Sequence, residues 1–100
     1  MFDILGKLGQ MKSKMEEVKN RLDAVSVTGE SGGGEVKVTV NGNRKVLSVR
    51  IEPHLLFPEK REEVEDLVEI AMNRALDEAT RVSEAEMKAV GKDLLPGFPL

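Results

Sequence analysis

The sequence predicts an α+β fold in which an N-terminal helix, a three-stranded antiparallel meander and a long C-terminal helix follow one another. Apolar residues recur at helical spacing over residues 4–25 and again over 64–90. Between them, residues 36–51 alternate apolar and polar side chains with the period of two that is typical of strands. One hundred residues make about one domain. We assign residues 1–93 to it and residues 94–100, which contain two prolines, to a tail.

The first helix is predicted from a seam of apolar residues separated alternately by four and three positions. Such spacing places them on one face, which a core or a second subunit then covers. Gly6 and Gly9 weaken the first turns, so we expect the helix to become firm near Gln10. The seam consists of Ile4, Leu8, Met11, Met15, Val18, Leu22 and Val25.

The middle of the chain is predicted to form three strands. The first covers residues 25–29, and the other two contain alternating valine, leucine and isoleucine over 36–40 and 47–51. Asn41-Gly42 lies between the last two runs, and this dipeptide favours a hairpin because both positions tolerate a positive φ. One face of the meander is then apolar and the other polar, as an antiparallel sheet packed on one side requires.

The second helix is predicted to begin near Glu59, after two prolines that interrupt regular structure. Pro58 suits the first helical position, and the glutamates that follow suit the positive end of the helix dipole. Gly91 is the expected C-cap.

A homodimer is predicted from the dimensions of these elements. A helix over residues 59–90 would be about 48 Å long, whereas a compact domain of this size has a radius of gyration near 13 Å. Apolar faces that extend past the core, and open sheet edges, need another surface, and twofold pairing is the commonest arrangement. We expect the interface to use Met11, Met15, Val18, Leu22, Val36, Val38 and Val40.

Charge is unevenly distributed along a chain whose net charge is −3. Residues 1–50 contain nine basic and six acidic side chains, and residues 51–100 contain six and twelve. A basic half can mark a nucleic-acid surface. The chain has no cysteine, no apolar stretch of the about 20 residues that span a bilayer and no secretory signal pattern, so we expect a cytoplasmic protein without membrane contact.

No pattern of catalytic or ligand-binding residues points to an enzyme. The Gly32–Gly34 run lacks the Gly-Lys-Ser/Thr of a phosphate-binding loop, and His54 has neither a cysteine nor a second histidine with which to hold zinc. The acidic run 59–69 lacks the ligand spacing of a calcium loop. We therefore expect no enzymatic activity, cofactor, metal or small-molecule substrate.

The candidate nucleic-acid-binding residues are chosen on charge alone. Residues 4–15 contain three lysines and no acid, and two more cations follow on the same helix. Two further cations lie at the predicted hairpin tip, and three recur every seven residues on the long helix. A solvated helix face, a charged tip that opposes aggregation and local pairing with glutamates remain alternatives. The candidates are Lys7, Lys12, Lys14, Lys19, Arg21, Arg44, Lys45, Arg74, Arg81 and Lys88.

These elements and one motif resemble the YbaB/EbfC family of nucleoid-associated proteins. The motif is VTGESGGGEVKVTVNG at residues 27–42, and EPHLL at 52–56 and LPGF at 95–98 also fit the family pattern. The resemblance implies a cytoplasmic, nucleoid-associated homodimer with helices projecting like tweezers, which binds DNA and organises or bends it. It does not identify the residues that contact DNA. Lys and Glu replace much of the glutamine common in the family's first helix.

An alternative function is a protein-interaction module. In that hypothesis the exposed helical seams and the apolar tail dock a partner protein, and the acidic pI of about 5.2 favours it.

Overall fold

The computed structural model describes residues 2–94 and Gly97, and its architecture confirms the predicted element order. Five elements form the fold, with one short 3₁₀ turn between the first two strands (Gly32–Gly34) and two before the last helix (Pro53–Leu55 and Pro58–Lys60). The elements are α1 (Phe2–Asp23), β1 (Ser26–Ser31), β2 (Val36–Asn41), β3 (Val46–Ile51) and α2 (Arg61–Leu94).

The helix ends differ from the predicted ones. α1 is helical from Phe2 rather than from Gln10, and α2 runs through the expected cap at Gly91 to Leu94, the first residue assigned to the tail. Glycine lowers helix propensity by only about 1 kcal/mol, which the flanking turns can offset. Residues 95, 96 and 98–100 of the predicted tail lie outside the described residues.

The sheet is an antiparallel meander with strand order β1-β2-β3, as the hairpin signal predicted. Val38 of β2 lies opposite Val49 of β3, and Thr39 lies opposite Ser48. A bulge follows Thr39, so the register shifts before Val40 meets Val46. Cross-strand partners point to the same face of a sheet. The valines of both strands therefore share the face that α2 approaches.

The main core lies between α2 and the first two strands. The valines of β2 are fully buried, and they pack with alanines that recur every four residues along α2. Close approach depends on Gly29 in β1, where an added Cβ would lie 2.1 Å from the Ala71 carbonyl oxygen and 2.4 Å from the Ala75 nitrogen. The buried set is Val36, Val38, Val40, Leu55, Ala71, Ala75 and Ala79.

The direction of α2 is fixed at both ends of the sheet. Near its start, the Ser31 hydroxyl at the end of β1 donates a 2.6 Å hydrogen bond to the Leu67 carbonyl. Further along, Glu86 of α2 accepts a 2.8 Å hydrogen bond from Arg21 of α1. α2 therefore begins at the Ser31 end of the sheet, crosses it and continues beyond its other end alongside α1.

A second, smaller core joins the two helices, where Val18 and Leu22 of α1 are buried with Val90 of α2. The helices extend well beyond the sheet, since the molecule measures 66 × 23 × 16 Å and has a radius of gyration of 18.8 Å. A compact chain of this length would have a radius near 13 Å. The predicted projection of the helices is confirmed.

The predicted dimer contacts of five residues need correction. Val36, Val38 and Val40 lie under α2, and Val18 and Leu22 lie against the chain's own α2, so these side chains leave no surface for a second copy. The period-two pattern showed which face of β2 is apolar but not that α2 of the same chain covers it. Met11 and Met15 are exposed, and their contact with a second copy stays a prediction.

Candidate nucleic-acid interface

The cations of α1 form two rows on either side of its apolar seam. With about 100° per residue, Lys7, Lys14 and Arg21 follow one line along the helix. Lys12 and Lys19 follow another line on the far side of the seam. All five side chains are exposed. The helix therefore presents positive charge over a broad surface.

The hairpin between β2 and β3 is tied to the C-terminal end of α1. The Gly42 amide donates hydrogen bonds to the carbonyls of Leu22 (2.9 Å) and Val25 (3.1 Å). A Cβ at Gly42 would come within 2.8 Å of the Leu22 carbonyl, so the close approach requires glycine. The side-chain nitrogen of Asn43 (Nδ2) donates hydrogen bonds to the Lys19 carbonyl (2.9 Å) and to the Asp23 carboxylate (2.6 Å).

This attachment brings cations from distant parts of the sequence to one corner of the molecule. Arg44 and Lys45 follow directly after Asn43, which is bonded to the backbone of Lys19. Arg44 adopts a left-handed backbone conformation with φ of 67°. Within residues 2–94 and 97, these three cations have no ion-pair partner. We call Lys19, Arg44 and Lys45 the hairpin-tip cluster.

Other predicted cations are engaged with the protein itself. Arg21 pairs with Glu86 across the two helices, and this hydrogen bond raises the pKa of the Arg21 guanidinium. Lys14 lies 3.5 Å from Glu17 one turn away on α1. Exposed pairs of this kind contribute little to stability. They do, however, lower the positive charge that these side chains offer to a ligand.

The three cations predicted to share a face of α2 have separate environments. Arg74 donates a 2.7 Å hydrogen bond to the Glu30 carbonyl. Arg81 is paired with Glu78 on the same helix, which lowers the pKa of the Glu78 carboxyl through the hydrogen bond. Lys88 is exposed and has no ion-pair partner among the described residues. Local pairing, anticipated from the sequence as an alternative, therefore applies to Arg81.

Opposite charges collect at opposite ends of the sheet. The hairpin-tip cluster lies where α1 meets the hairpin, whereas α2 begins at the Ser31 end. The segment that leads into α2, residues 59–69, contains six acidic side chains and two basic ones. Acids there also suit the positive end of the α2 dipole. A net charge of −3 thus coexists with three cations at one end of the sheet, where Asp23 is the acid bonded to the hairpin.

The polar face of the sheet adds one pair of cations. Lys37 and Arg50 lie opposite each other on β2 and β3, and both are exposed. The Lys37 ammonium is 3.7 Å from the Glu30 carboxylate. His54 lies 3.5 Å from Glu35, and no group of three potential ligands among the described residues could hold a metal ion.

The match to known proteins covers nearly the whole chain. The YbaB/EbfC DNA-binding family model matches residues 1–94. The chain belongs to the YbaB/EbfC DNA-binding family. A nucleoid-associated protein of Flavobacterium johnsoniae is 37% identical over 99 residues, which cover 99% of this chain and 92% of the relative. One from Chlorobium phaeobacteroides is 41% identical, covering 88% of this chain and 78% of the relative.

A solved structure supports the fold of this family member. The crystal structure of an uncharacterized protein, HP0035 from Helicobacter pylori, matches with a TM-score of 0.71 and 25% identity. The match covers 92% of each chain. Among the described residues of this family member, no helix is long and apolar enough to cross a membrane.

Sequence reasoning missed what organises the candidate interface. Asn41-Gly42 predicts only a turn, yet the contacts of Gly42 and Asn43 with α1 bring Arg44 and Lys45 beside Lys19. The Asn-Gly dipeptide indicated a tight turn, but nothing in its spacing indicated which element the turn contacts.

Proposed function

We propose that this YbaB/EbfC chain is a nucleoid-associated protein that binds duplex DNA as a homodimer through basic side chains on phosphates. The observation that carries the proposal is the gathering of unpaired cations along α1 and at the hairpin tip, away from the acidic start of α2. Membership of a DNA-binding family supports DNA as the ligand. The names of the relatives support location at the nucleoid in the cytoplasm.

Phosphates suit these side chains better than bases do. The cations are long and exposed, and no aromatic side chain lies beside them in sequence on which a base could stack. A lysine that neutralises a phosphate releases counterions, so affinity falls as salt rises, by about 0.9 in slope per phosphate. We infer that Lys7, Lys12, Lys88 and the hairpin-tip cluster make the main contacts. Lys14, Arg21 and Arg81, which are paired with glutamates, then contribute less, as does Arg74, whose guanidinium is held by the Glu30 carbonyl.

The second copy is proposed to cover β3. Val46, Leu47 and Val49 are 43%, 49% and 44% exposed, although Val49 lies on the same face as the buried Val38. α2 packs mainly across β1 and β2, and only Ile51 of this edge strand packs against the core, so its other apolar residues stay uncovered. An apolar edge strand in water invites pairing with another strand.

A dimer through β3 would double the cations on one particle. Twofold symmetry makes the same patch meet itself, which is the commonest arrangement of a homodimer. Each subunit would then bring its own α1 row and hairpin-tip cluster to the particle. Two basic regions joined by a fixed core are what bridging or bending a duplex requires.

The test compares two triple variants that lose the same number of positive charges. The first variant changes the hairpin-tip cluster, Lys19, Arg44 and Lys45, to Gln. The control variant changes Lys60, Arg61 and Arg81 to Gln. Duplex binding is measured by fluorescence anisotropy over a series of salt concentrations. If all three cluster cations contact phosphate, the slope of log K against log salt becomes shallower by about 2.7 per subunit engaged. Among the control residues only Arg81 is a DNA candidate, and Glu78 already neutralises it, so the control set should change the slope far less.

Equal loss in both variants would mean that only total charge matters and would reject the hairpin-tip cluster as a contact site. Absence of binding by the unmodified, folded protein at low salt would reject DNA binding itself.

A further inference from the structure

The apolar face of α1 is covered at one end and bare at the other. Val18 and Leu22 are buried against Val90 of α2. The exposed fraction of the preceding apolar side chains is 40% and 38% at the two methionines, and it rises to 56% and 63% towards the start of the helix. Exposed apolar stripes of this kind mark interaction surfaces. We call this stripe, Ile4, Leu8, Met11 and Met15, the Leu8 seam.

The cover of α1 stops where α2 stops. The two helices are antiparallel, since α1 ends at the hairpin and α2 leaves the sheet at that same end. Val90 packs with Val18, and one turn later Leu94 packs against the same cluster. Leu94 also lines a groove with Ser13 and Lys14 of α1. α2 therefore ends beside this turn of α1, and the chain leaves it in the direction of the Leu8 seam and the start of α1.

The six residues after Leu94, here called the C-terminal segment, are suited to continue in that direction. Their sequence is LPGFPL, which contains no charged or hydrogen-bonding side chain. Pro96 and Pro99 oppose a longer helix and favour extended chain, which rises by about 3.1 Å per residue. Six residues then reach about 19 Å, whereas residues 4–14 of α1 span about 15 Å. The difference leaves room for the bend at Gly97, whose φ is 92°.

Charge favours this segment over a second α1 as the cover of the seam. Lys7 and Lys12 border the Leu8 seam, each about 70° from its centre. Residues 4–15 contain three lysines and no acid, so a second α1 would bring like charges together. The C-terminal segment has no charged side chain, so it covers the apolar residues and leaves both lysines available to phosphates.

We propose that the C-terminal segment lies along the Leu8 seam of its own chain and completes the cover that α2 begins. Phe98 follows Leu94 by four residues, and an extended run with one bend brings its ring to the level of Leu8. Met11 then lies within reach of the ring, and contacts between a thioether and an aromatic ring are favourable. Met11 and Met15, which the sequence led us to expect at a dimer interface, are covered within one chain. The contact depends neither on DNA nor on pairing through β3.

The first test uses disulfide trapping, because the chain contains no cysteine. One double variant combines Leu8→Cys on the seam with Phe98→Cys. The control combines Gly6→Cys with Phe98→Cys. Gly6 lies on the far side of α1 and lines the groove beside Leu94, and a Cβ there meets nothing within 4 Å among the described residues.

The two double variants are oxidised at micromolar concentration, and non-reducing electrophoresis separates bridges within one chain from bridges between two. Contact within a chain gives an effective concentration in the millimolar range, so the seam pair should close at least about tenfold faster than the control, at a rate independent of protein concentration. A faster bridge at Gly6 would place the segment in the groove beside Leu94. Bridges that join two chains would assign the seam to a second copy, and equally slow bridging would place the segment on neither side. Each of these three results overturns the proposal.

A second test needs no covalent bond. The chain contains neither tryptophan nor tyrosine, so Phe98→Trp introduces a single fluorophore. We expect its emission at a shorter wavelength than in the urea-unfolded chain, because the ring packs on apolar side chains. Adding Leu8→Lys should shift the emission back towards that of a solvated indole, whereas Gly6→Lys, which adds the same charge on the far side of α1, should leave it unchanged. Identical emission from the folded and unfolded chains, or an equal shift by both lysines, contradicts the proposal.

Discussion

β2 and β3 carry similar apolar patterns and belong to one hairpin, yet their side chains have opposite environments. Val38 is fully buried, whereas its cross-strand partner Val49 is 44% exposed on the same face. The difference lies in α2, which crosses β1 and β2 and leaves β3 uncovered except at Ile51. Alternation thus identifies an apolar face, while the path of a distant helix decides which strands are covered by the chain itself.

Loss of the close packing of α2 against the first two strands should have the largest effect on stability. Gly29→Ala places a methyl carbon 2.1 Å from a backbone oxygen of α2, so the helix must move away from β1 and β2. We expect a loss of more than about 3 kcal/mol in the free energy of unfolding. Gly33→Ala is the control, because its Cβ meets nothing within 4 Å and only its positive φ opposes the change. The control should lose about 1 kcal/mol. Urea titrations measure both variants. A similar loss of unfolding free energy in the two would show that the close packing of α2 at Gly29 is not what the substitution disrupts.

The two partner valines give the most direct comparison of the strands. Val38→Ala should lower the free energy of unfolding by about 2 kcal/mol at every protein concentration, because it leaves a cavity inside one chain. Val49→Ala should act through the dimer, so its effect on the melting temperature should depend on protein concentration. Thermal denaturation at two widely separated protein concentrations distinguishes the two variants. A concentration-independent effect at Val49 would place that side chain outside any interface.

The link between the hairpin and α1 should show a smaller effect. Asn43→Ala removes two side-chain hydrogen bonds to α1 and should lower the free energy of unfolding by about 1 kcal/mol. DNA affinity should fall as well, although no charge is lost, since Arg44 and Lys45 are no longer held beside Lys19. Asn73→Ala, on the exposed side of α2, is the control. An unchanged DNA affinity in Asn43→Ala would mean that the hairpin-tip cluster does not act as a unit.

The smallest expected effect belongs to a cation already paired on α2. Arg81→Gln should weaken duplex binding less than Lys19→Gln, because the Glu78 carboxylate already neutralises Arg81. Both variants lose one charge, so a salt titration compares them directly. The reverse order would move the DNA contact from the hairpin tip to α2.

The fold was predictable from the sequence because its signals are local. Heptad-like spacing located α1, Asn41-Gly42 located the hairpin, and Pro58 located the start of the long helix. The predicted interface erred at Val36, Val38 and Val40, because the cover that α2 provides is a long-range contact. The charged residues of the candidate site were visible in the sequence as well. Their grouping around Lys19 depends on hydrogen bonds between segments 24 residues apart, which no local pattern encodes.

The most direct test places one lysine on either face of β3 and measures both mass and DNA binding. Val49→Lys adds a charge to the uncovered apolar face, and Ser48→Lys adds the same charge to the polar face, where Ser48 pairs with Thr39. We predict that Val49→Lys becomes monomeric and binds duplex DNA more weakly despite its extra positive charge. Ser48→Lys should stay dimeric and bind at least as tightly as the unmodified chain. A dimeric Val49→Lys with undiminished DNA affinity would contradict the account.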